Sequence, residues 1–525
     1  MSTDSACYQA LVARDARFDG VFFVGVRTTG IYCRPICPAR TPARTRCAFF
    51  TTPAEAETAG FRACFRCRPE LAPGSSPPEA DRRRGRTAAV DAIDALVHAA
   101  TARIAEGGLN ERSLDELAAE LDVTARHLRR AIAARLGVSP VELAQSRRVA
   151  LAKQLLHDTE LPLAQVAFAS GFASIRRFNA AFAARMGCAP SKLRGDRGRG
   201  DRGSPATPGL AGPRSGAERR AGSIDLRLDY REPYDWPRLL AFLRGRAVPG
   251  VEHVGDDEYR RIVYLAGETG EIAVRPVRGR SALALSVAPQ LLPVLMPLVA
   301  RVRRMFDLDA HPDAVARVLR ADRRLAPLVA ARPGLRLPGA IDPFEASIRA
   351  MLGQQVSVAA ATTLAGRFAA KLGERLGPGE LATRFPTAGE VAAAGPARIA
   401  GIGIPAARAH AIHRFAHAIA SRELRLDGPP HELDAFVARL VALPGIGPWT
   451  AHYLAMRALH VPDAFPAADL GVQKALRPPP RRGEATAPPS RAGARAAEAR
   501  AEAWRPFRAY AVMHLWTQLA ERTSR

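Results

Sequence analysis

Lysine is nearly missing. Lys153, Lys192, Lys371 and Lys474 are all there is in 525 residues. Arginine therefore carries almost all of the 76 basic residues, which face only 51 acidic ones for a formal net charge of +25. Arginine in place of lysine, with abundant alanine, is the mark of a GC-rich coding sequence. That bias explains which base is used, not the excess of bases over acids. A soluble chain this positive usually meets a polyanion, because binding releases the counterions held by phosphates. Long apolar runs are missing too. "LLPVLMPLVA" (291–300) is too short to cross a bilayer. The N-terminal stretch "MSTDSACYQALVARDARFDG" has no charged start followed by an apolar core, so no secretory signal is expected and the chain is expected in the cytoplasm, off the membrane.

Cysteine is scarce and unevenly spread. Cys7, Cys33, Cys37, Cys47, Cys64 and Cys67 lie near the N-terminus, and none follows Cys188. Cysteine chemistry is thereby excluded from the C-terminal part. Clustered thiols in a cytosolic chain argue for metal or chemistry rather than disulfides. Cys33 and Cys37 are spaced C-x3-C, and Cys64 and Cys67 C-x2-C. Two close pairs some tens of residues apart are the plan of a tetrahedral four-cysteine Zn2+ site. Cys7 and Cys47 have no close partner and are expected to be spectators. Four thiolates on Zn2+ carry −2, and such a sulfur can still act as a nucleophile. Alkylation of one sulfur would lower the charge to −1, a switch in how the site meets phosphates.

The chain has room for three or four domains. "APGSSPPEADRRRGR" (72–86) and "GDRGRGDRGSPATPGLAGPRSGAERRAG" (195–222) read as linkers, the second expected to be disordered. The expected segments are a cysteine-rich unit (1–76), a helical unit (86–194), the linker (195–222), a strand-bearing unit (223–289) and a helical unit (290–525). In the fourth, "SIDLRLDY", "RRIVYLAG", "EIAVRPV" and "ALALSV" alternate as strands do. The fold class is thus multidomain and mainly α, with a small zinc-bound α+β domain, two helix-turn-helix motifs, an α+β domain and an all-helical domain. "RPPPRRGEATAPPSRAGAR" (477–495) reads as a Pro-rich loop inserted between helices.

"VRTTGIYCRPICPAR" followed by "AGFRACFRCRPE" closely resembles the zinc domain of the Ada adaptive-response proteins, over roughly residues 5–75. The resemblance implies that Cys33 accepts a methyl group from a DNA methylphosphotriester, with Cys37, Cys64 and Cys67 completing the zinc shell. Arg34, Arg40, Arg44 and Arg46 would then hold the DNA backbone near the sulfur. A second acceptor cysteine, common in the C-terminal domain of Ada proteins, is absent here, so direct O6-methylguanine repair is not expected.

"SLDELAAELDVTARHLRRAIAARLGVSP" (113–140) reads helix, turn, helix, with Ser113 and Glu116 fitting a capping box. "LPLAQVAFASGFASIRRFNAAFAARMGCAPSKLR" (161–194) repeats the pattern, with Gly171 in the turn. Together they resemble an AraC-type DNA-binding domain, whose recognition helices would begin near Thr124 and Ser174 and enter successive major grooves. Arg126, Arg130, Arg176 and Arg177 are candidate DNA contacts, and for any single one solvation of a helix face is an equal reading.

"LPGIGPWTAHYLAMRAL" (443–459) sets Gly445 and Gly447 in a tight turn before a helix, a clamp for phosphate through backbone N–H groups. "VPDAFPAADLGVQKAL" follows, with Asp469 before another helix. This order resembles the helix-hairpin-helix DNA glycosylases. "DPFEASIRAMLGQQVSVAAATTLAGRF" and "AEAWRPFRAYAVMHLW" place it with the 3-methyladenine DNA glycosylase II (AlkA) type, over 224–525 apart from the insert. The resemblance makes Asp469 the catalytic carboxylate and sets Trp449, Tyr453 and Trp516 around the extruded base. It puts Gln355, in "LGQQVS", where a side chain fills the gap left in the duplex. An aromatic pocket favours an alkylated, cationic purine by cation–π attraction. Asp463 is the rival carboxylate, with a turn or capping role the better reading. Trp504 reads as core.

The leading reading is a three-part protein for DNA alkylation repair and its control. It joins a methylphosphotriester acceptor, a promoter binder and a monofunctional glycosylase that hydrolytically releases 3-methyladenine and 7-methylguanine in base excision repair. Expected partners are double-stranded DNA, alkylated or promoter, and RNA polymerase, met by a monomer. The alternative is a regulator only, with a degenerate glycosylase-like half.

Overall fold

The computed structural model describes residues 3–74, 88–196, 222–477 and 490–523. Most of both linkers, and residues 478–489 of the insert, lie outside these. The chain divides into two compact units, one of residues 1–232, 263–303 and 308–310, the other of 233–262, 304–307 and 311–525.

The first unit opens with a small sheet. Its strands run in the order Cys47–Phe50, Phe23–Val26, Ile31–Cys33, Arg62–Ala63. The first two contacts are antiparallel and the last is parallel, with Tyr32 opposite Ala63. Parallel pairing puts the C-terminal ends of two strands at the same edge. Cys33 and Cys64 therefore leave the sheet side by side, and the Cys64 N–H donates to the Tyr32 carbonyl at 3.0 Å.

Seven helices follow among the described residues: 88–105, Leu114–Glu120, Ala125–Leu136, Pro140–Asp158, Leu163–Ala169, Ile175–Met186 and Pro190–Asp196. The capping box of Ser113 and Glu116 forms, and Ser139 with Glu142 makes a second one. The two helix-turn-helix turns need a left-handed residue, supplied by Asp122 (φ 53°) and Gly171 (φ 85°). Leu117, Leu121, Leu128, Ile132 and Leu136 bury one face of the first motif against Val97 and Ile104. In the second, Phe178 packs between Phe172 and Phe182, with ring centroids 5.4 and 5.7 Å away. Three strands also belong to this unit. Ala282–Val287 pairs antiparallel with Ile224–Asp229 and with Glu268–Pro276.

In the second unit, Trp236–Arg244 is a helix, and Glu252–Val254 pairs antiparallel with the start of Tyr259–Leu265. Helices then dominate. Those that build the site are Pro343–Leu352, Val358–Leu372, Leu433–Val441, Pro448–Arg457, Leu470–Leu476 and Arg508–Thr523. A buried charge network is balanced within this unit: Arg349 bonds Glu252 and Glu345 at 2.9 Å each, and Arg261 bonds Glu345. The inserted segment is not all loop. Arg491–Ala501 is helical, capped by Ser490, whose Oγ accepts from the Gly493 N–H at 3.0 Å. Alanine, arginine and glutamate in "RAGARAAEARA" are strong helix formers, and they outweigh the single glycine, Gly493.

Candidate functional site

The Sγ atoms of Cys33, Cys37, Cys64 and Cys67 all lie within 4.8 Å of one another. The turn after Cys33 is closed by the Cys37 N–H on the Arg34 carbonyl at 3.1 Å, which brings the second sulfur under the first. Zn–S bonds of about 2.3 Å in a tetrahedron need sulfurs roughly 3.8 Å apart, so a small contraction fits the ion. All four donors are thiols, the set that suits Zn2+ and excludes hard cations. Cys37, Cys64 and Cys67 are buried and Cys33 is half-buried, so Cys33 is the sulfur an outside group can reach. Lys153 braces the cluster, donating to the Cys64 carbonyl at 3.0 Å and to Glu70 at 2.8 Å. Cys7 and Cys47 stand apart, packed with Leu11, Phe22 and Val24, and burial pushes both thiols up from their ordinary range.

Arg34 corrects the sequence reading. It is not presented to DNA: only 3% of it is exposed. Its Nε donates to Asp19 Oδ1 at 2.8 Å and its Nη1 to Asp229 Oδ2 at 2.9 Å. Two carboxylates and the surrounding protein take up the guanidinium. Arg40, Arg44 and Arg46 are exposed.

The recognition helices start where the sequence places them. Thr124 Oγ1 accepts from the His127 N–H at 3.2 Å, and Ser174 Oγ from the Arg177 N–H at 3.3 Å. Arg126 and Arg130, four apart, share a helix face, and both are exposed, as are Arg176 and Arg177.

In the second unit, Leu433–Val441 and Pro448–Arg457 form the hairpin. Gly445 has φ 79°, and a Cβ there would meet the Ala411 Cβ at 2.5 Å. Gly447 caps the second helix, and a Cβ there would meet nothing within 4 Å. Both glycines are exposed, while Ile446 between them is buried. The "LGQQVS" turn is pinned to this hairpin by Gln354, whose Nε2 donates to the Gly445 carbonyl at 2.9 Å and to Thr450 Oγ1 at 3.0 Å. Gln355 stands at the tip, exposed, with φ 60°.

Asp469 is 9% exposed and caps Leu470–Leu476 through the Val472 N–H at 2.9 Å. Trp449 Nε1 donates to its Oδ2 at 3.0 Å and Trp516 Nε1 to its Oδ1 at 2.8 Å. The aromatic trio and the carboxylate are therefore one assembly. Trp449 and Tyr453 stack at 5.2 Å and 29°, and Trp516 lies 6.2 Å from Tyr453. Asp463 is elsewhere occupied. It is held by Arg505 and by Arg508 at 3.0 Å, and burial lifts its pKa against the pull of both arginines. Its role is an ion pair rather than a cap. Trp504 is fully buried and donates to Asp322 at 3.1 Å, a core residue.

Arg457 escaped the sequence reading. It follows Trp449 and Tyr453 at helical spacing, its Cζ lies 4.7 Å over the Phe242 ring, and its buried Nε and Nη1 have no hydrogen-bond partner among the described residues. Burial lowers it to about 10. The spacing 449, 453, 457 was the available signal. Gln354 was also missed, because its contact with the hairpin joins residues 91 apart.

Comparison with known families agrees with this geometry. Residues 6–70 match the metal binding domain of Ada, 117–196 a helix-turn-helix domain, 225–342 the AlkA N-terminal domain, and 348–478 the HhH-GPD superfamily of base excision DNA repair proteins. The chain is 38% identical to a probable bifunctional transcriptional activator/DNA repair enzyme AlkA of Mycobacterium tuberculosis, over 98% of this chain and 96% of that protein. It is 36% identical to DNA-3-methyladenine glycosylase 2 of Escherichia coli, covering 55% of this chain and 95% of the relative. It is 34% identical to the bifunctional transcriptional activator/DNA repair enzyme Ada of the same organism, covering 30% and 40%.

Proposed function

Because the chain belongs to the family of AlkA-type bifunctional transcriptional activator/DNA repair enzymes, we propose that it hydrolytically releases alkylated purines from DNA and takes up methyl groups from methylphosphotriesters on Cys33. It is a DNA glycosylase that also carries an Ada-type zinc-binding domain and a helix-turn-helix domain. The observation that carries the glycosylase reading is the Asp469 carboxylate held by Trp449 and Trp516 beside the Tyr453 ring.

The extruded base sits against Trp449, Tyr453 and Trp516, whose π faces favour a cationic methylpurine. That base is already a good leaving group. The C1′–N bond breaks, the base leaves with the bonding pair and becomes neutral, and the sugar becomes an oxocarbenium ion. Asp469 stabilises this charge and orients the water that adds to C1′. Gly445 and Gly447 bind backbone phosphate through their N–H groups, and Gln355 fills the space vacated in the duplex. Lys474 is exposed on the helix that Asp469 caps, and Trp449 occupies the position from which a lysine would attack the sugar. The product is therefore an intact strand with an abasic site.

Cys33, Cys37, Cys64 and Cys67 hold Zn2+, which keeps the four sulfurs deprotonated. The Cys33 sulfur attacks the methyl carbon, the C–O bond to the phosphotriester breaks, and a phosphodiester anion leaves. The new thioether has no route back, so each molecule reacts once. Arg126, Arg130, Arg176 and Arg177 contact promoter DNA. Two helix-turn-helix motifs in one chain read two successive grooves without a second copy, which supports action as a monomer, with RNA polymerase as the further partner. Among the described residues, no helix is long and apolar enough to cross a membrane. The test is joint. Methylated DNA should yield free 3-methyladenine without strand cleavage and without a borohydride-trapped adduct, and mass spectrometry should find one methyl, on Cys33. Absence of base release would leave a regulator only.

A further inference from the structure

The surroundings of Arg34 reach beyond the zinc-binding segment. Asp229, one of its two carboxylate partners, is the last residue of the strand Ile224–Asp229, 195 residues away in sequence and within the same compact unit. The same strand is gripped again by the long helix Pro140–Asp158, where Gln154 Nε2 donates to the Arg227 carbonyl at 2.9 Å. Just past the strand, Arg231 is 2% exposed and donates from Nε to the Asp19 carbonyl at 2.8 Å. Its Nη2 reaches the Gly74 carbonyl at 2.9 Å. Asp19 is thus used twice, its carboxylate on Arg34 and its carbonyl on Arg231. Arg34 in turn touches the metal shell through its peptide N–H, 3.3 Å from Cys67 Sγ, and through Nη1, 3.3 Å from the Cys67 carbonyl.

Four of the charges at this junction form two pairs. Arg34 and Asp19 form one pair on the zinc-binding side, and Arg227 lies 2.9 Å from Asp229 on the strand side. Separating the two sides splits a neutral group of four into two neutral pairs. A permanent core junction would strand a buried charge on parting, which is strongly unfavourable. Arg231, also buried at this junction, would have to leave the Asp19 and Gly74 carbonyls as well, so parting is unfavourable and the two sides hold together.

We propose that the face of the zinc-binding segment formed by Asp19 and Arg34, with Gln154 beside it, is a docking surface whose partner is the chain's own strand Ile224–Asp229, and that the two are energetically linked through Arg34. The state of the metal shell is thereby coupled to the first strand of the segment that matches the AlkA N-terminal domain. Coupling between two sites is reciprocal in binding free energy. Whatever the filled shell contributes to the seating of the strand, the seated strand contributes to retention of the metal.

The test uses the full chain and hydrogen exchange read by mass spectrometry. Stripping the metal with a chelator should speed exchange in 224–229 at least about tenfold, while the hairpin at 443–457 stays unchanged. Asp229→Asn should speed exchange in 31–37 and weaken zinc retention, measured by competition with a chromogenic chelator, by about the same factor. Asp229→Glu should restore much of both. Gln154→Ala, which leaves every charge in place, should give a smaller shift in the same two segments and serves if Asp229→Asn does not fold. The proposal is overturned if metal removal leaves 224–229 unchanged, or if neither Asp229→Asn nor Gln154→Ala alters zinc retention.

Discussion

Replacing Asp469 by asparagine is the sharpest test of the glycosylase pocket, because it separates charge from shape. Both carboxylate oxygens are engaged: Oδ1 accepts from Val472 N–H and Trp516 Nε1, and Oδ2 from Trp449 Nε1. Asparagine keeps one acceptor and can still cap Leu470–Leu476. Its amide nitrogen must then face the Trp449 N–H, donor against donor, which costs about 1–3 kcal/mol of stability. The catalytic loss is larger. A carboxylate about 4 Å from the oxocarbenium charge, at an effective dielectric constant near 20, contributes about 4 kcal/mol, or roughly a thousandfold in rate. Single-turnover release of 3-methyladenine, at a temperature where the variant is folded, should fall by about that factor. Binding to abasic DNA should stay within about threefold. Asp463→Asn is the matched control. It removes the partner of Arg505 and Arg508, so it should lower the melting temperature while leaving release per folded molecule within about threefold. Near-normal release by Asp469→Asn, or an equal loss in Asp463→Asn, refutes the assignment.

Cys37→Ala, Cys64→Ala and Cys67→Ala should each lose the zinc or unfold the N-terminal segment, read by metal analysis and circular dichroism; full zinc in all three would exclude the four-cysteine shell. Gly445→Ala should destabilise the hairpin, since its φ of 79° and the Ala411 contact both oppose a Cβ. Gly447→Ala should leave the melting temperature unchanged yet weaken DNA binding, because its open space is where a phosphate would lie. His514 is held neutral by burial, with Arg332 adding to the effect, and its pKa falls from 6.5 to about 4. Its neutral form is the one that fits, so this stability is present above pH 6.5 and is lost as the pH falls toward 4, amounting to about 3 kcal/mol. Denaturant melts between pH 7 and 4 should show that slope, flattened in His514→Phe.

What was legible in the sequence is what short spacing encodes. The capping box of Ser113 and Glu116, the N-caps Thr124 and Ser174, the two cysteine pairs and the Gly445–Gly447 turn each lie within a few residues, and each forms. Helix Arg491–Ala501 was missed because the proline-rich run before it set the reading of the whole insert. Arg34 shows the deeper limit. In the string "CRPIC" it is as basic as Arg40, Arg44 and Arg46 and directly follows a cysteine, and nothing local marks it for burial. What buries it are Asp19, fifteen residues before it, and Asp229, 195 residues after it. An arginine meets DNA only if the fold gives its guanidinium no carboxylate, and that choice is made by tertiary partners. The excess of arginine over acid therefore identifies the kind of partner the chain meets, while which arginines remain free to meet it is decided by where its fewer carboxylates come to rest.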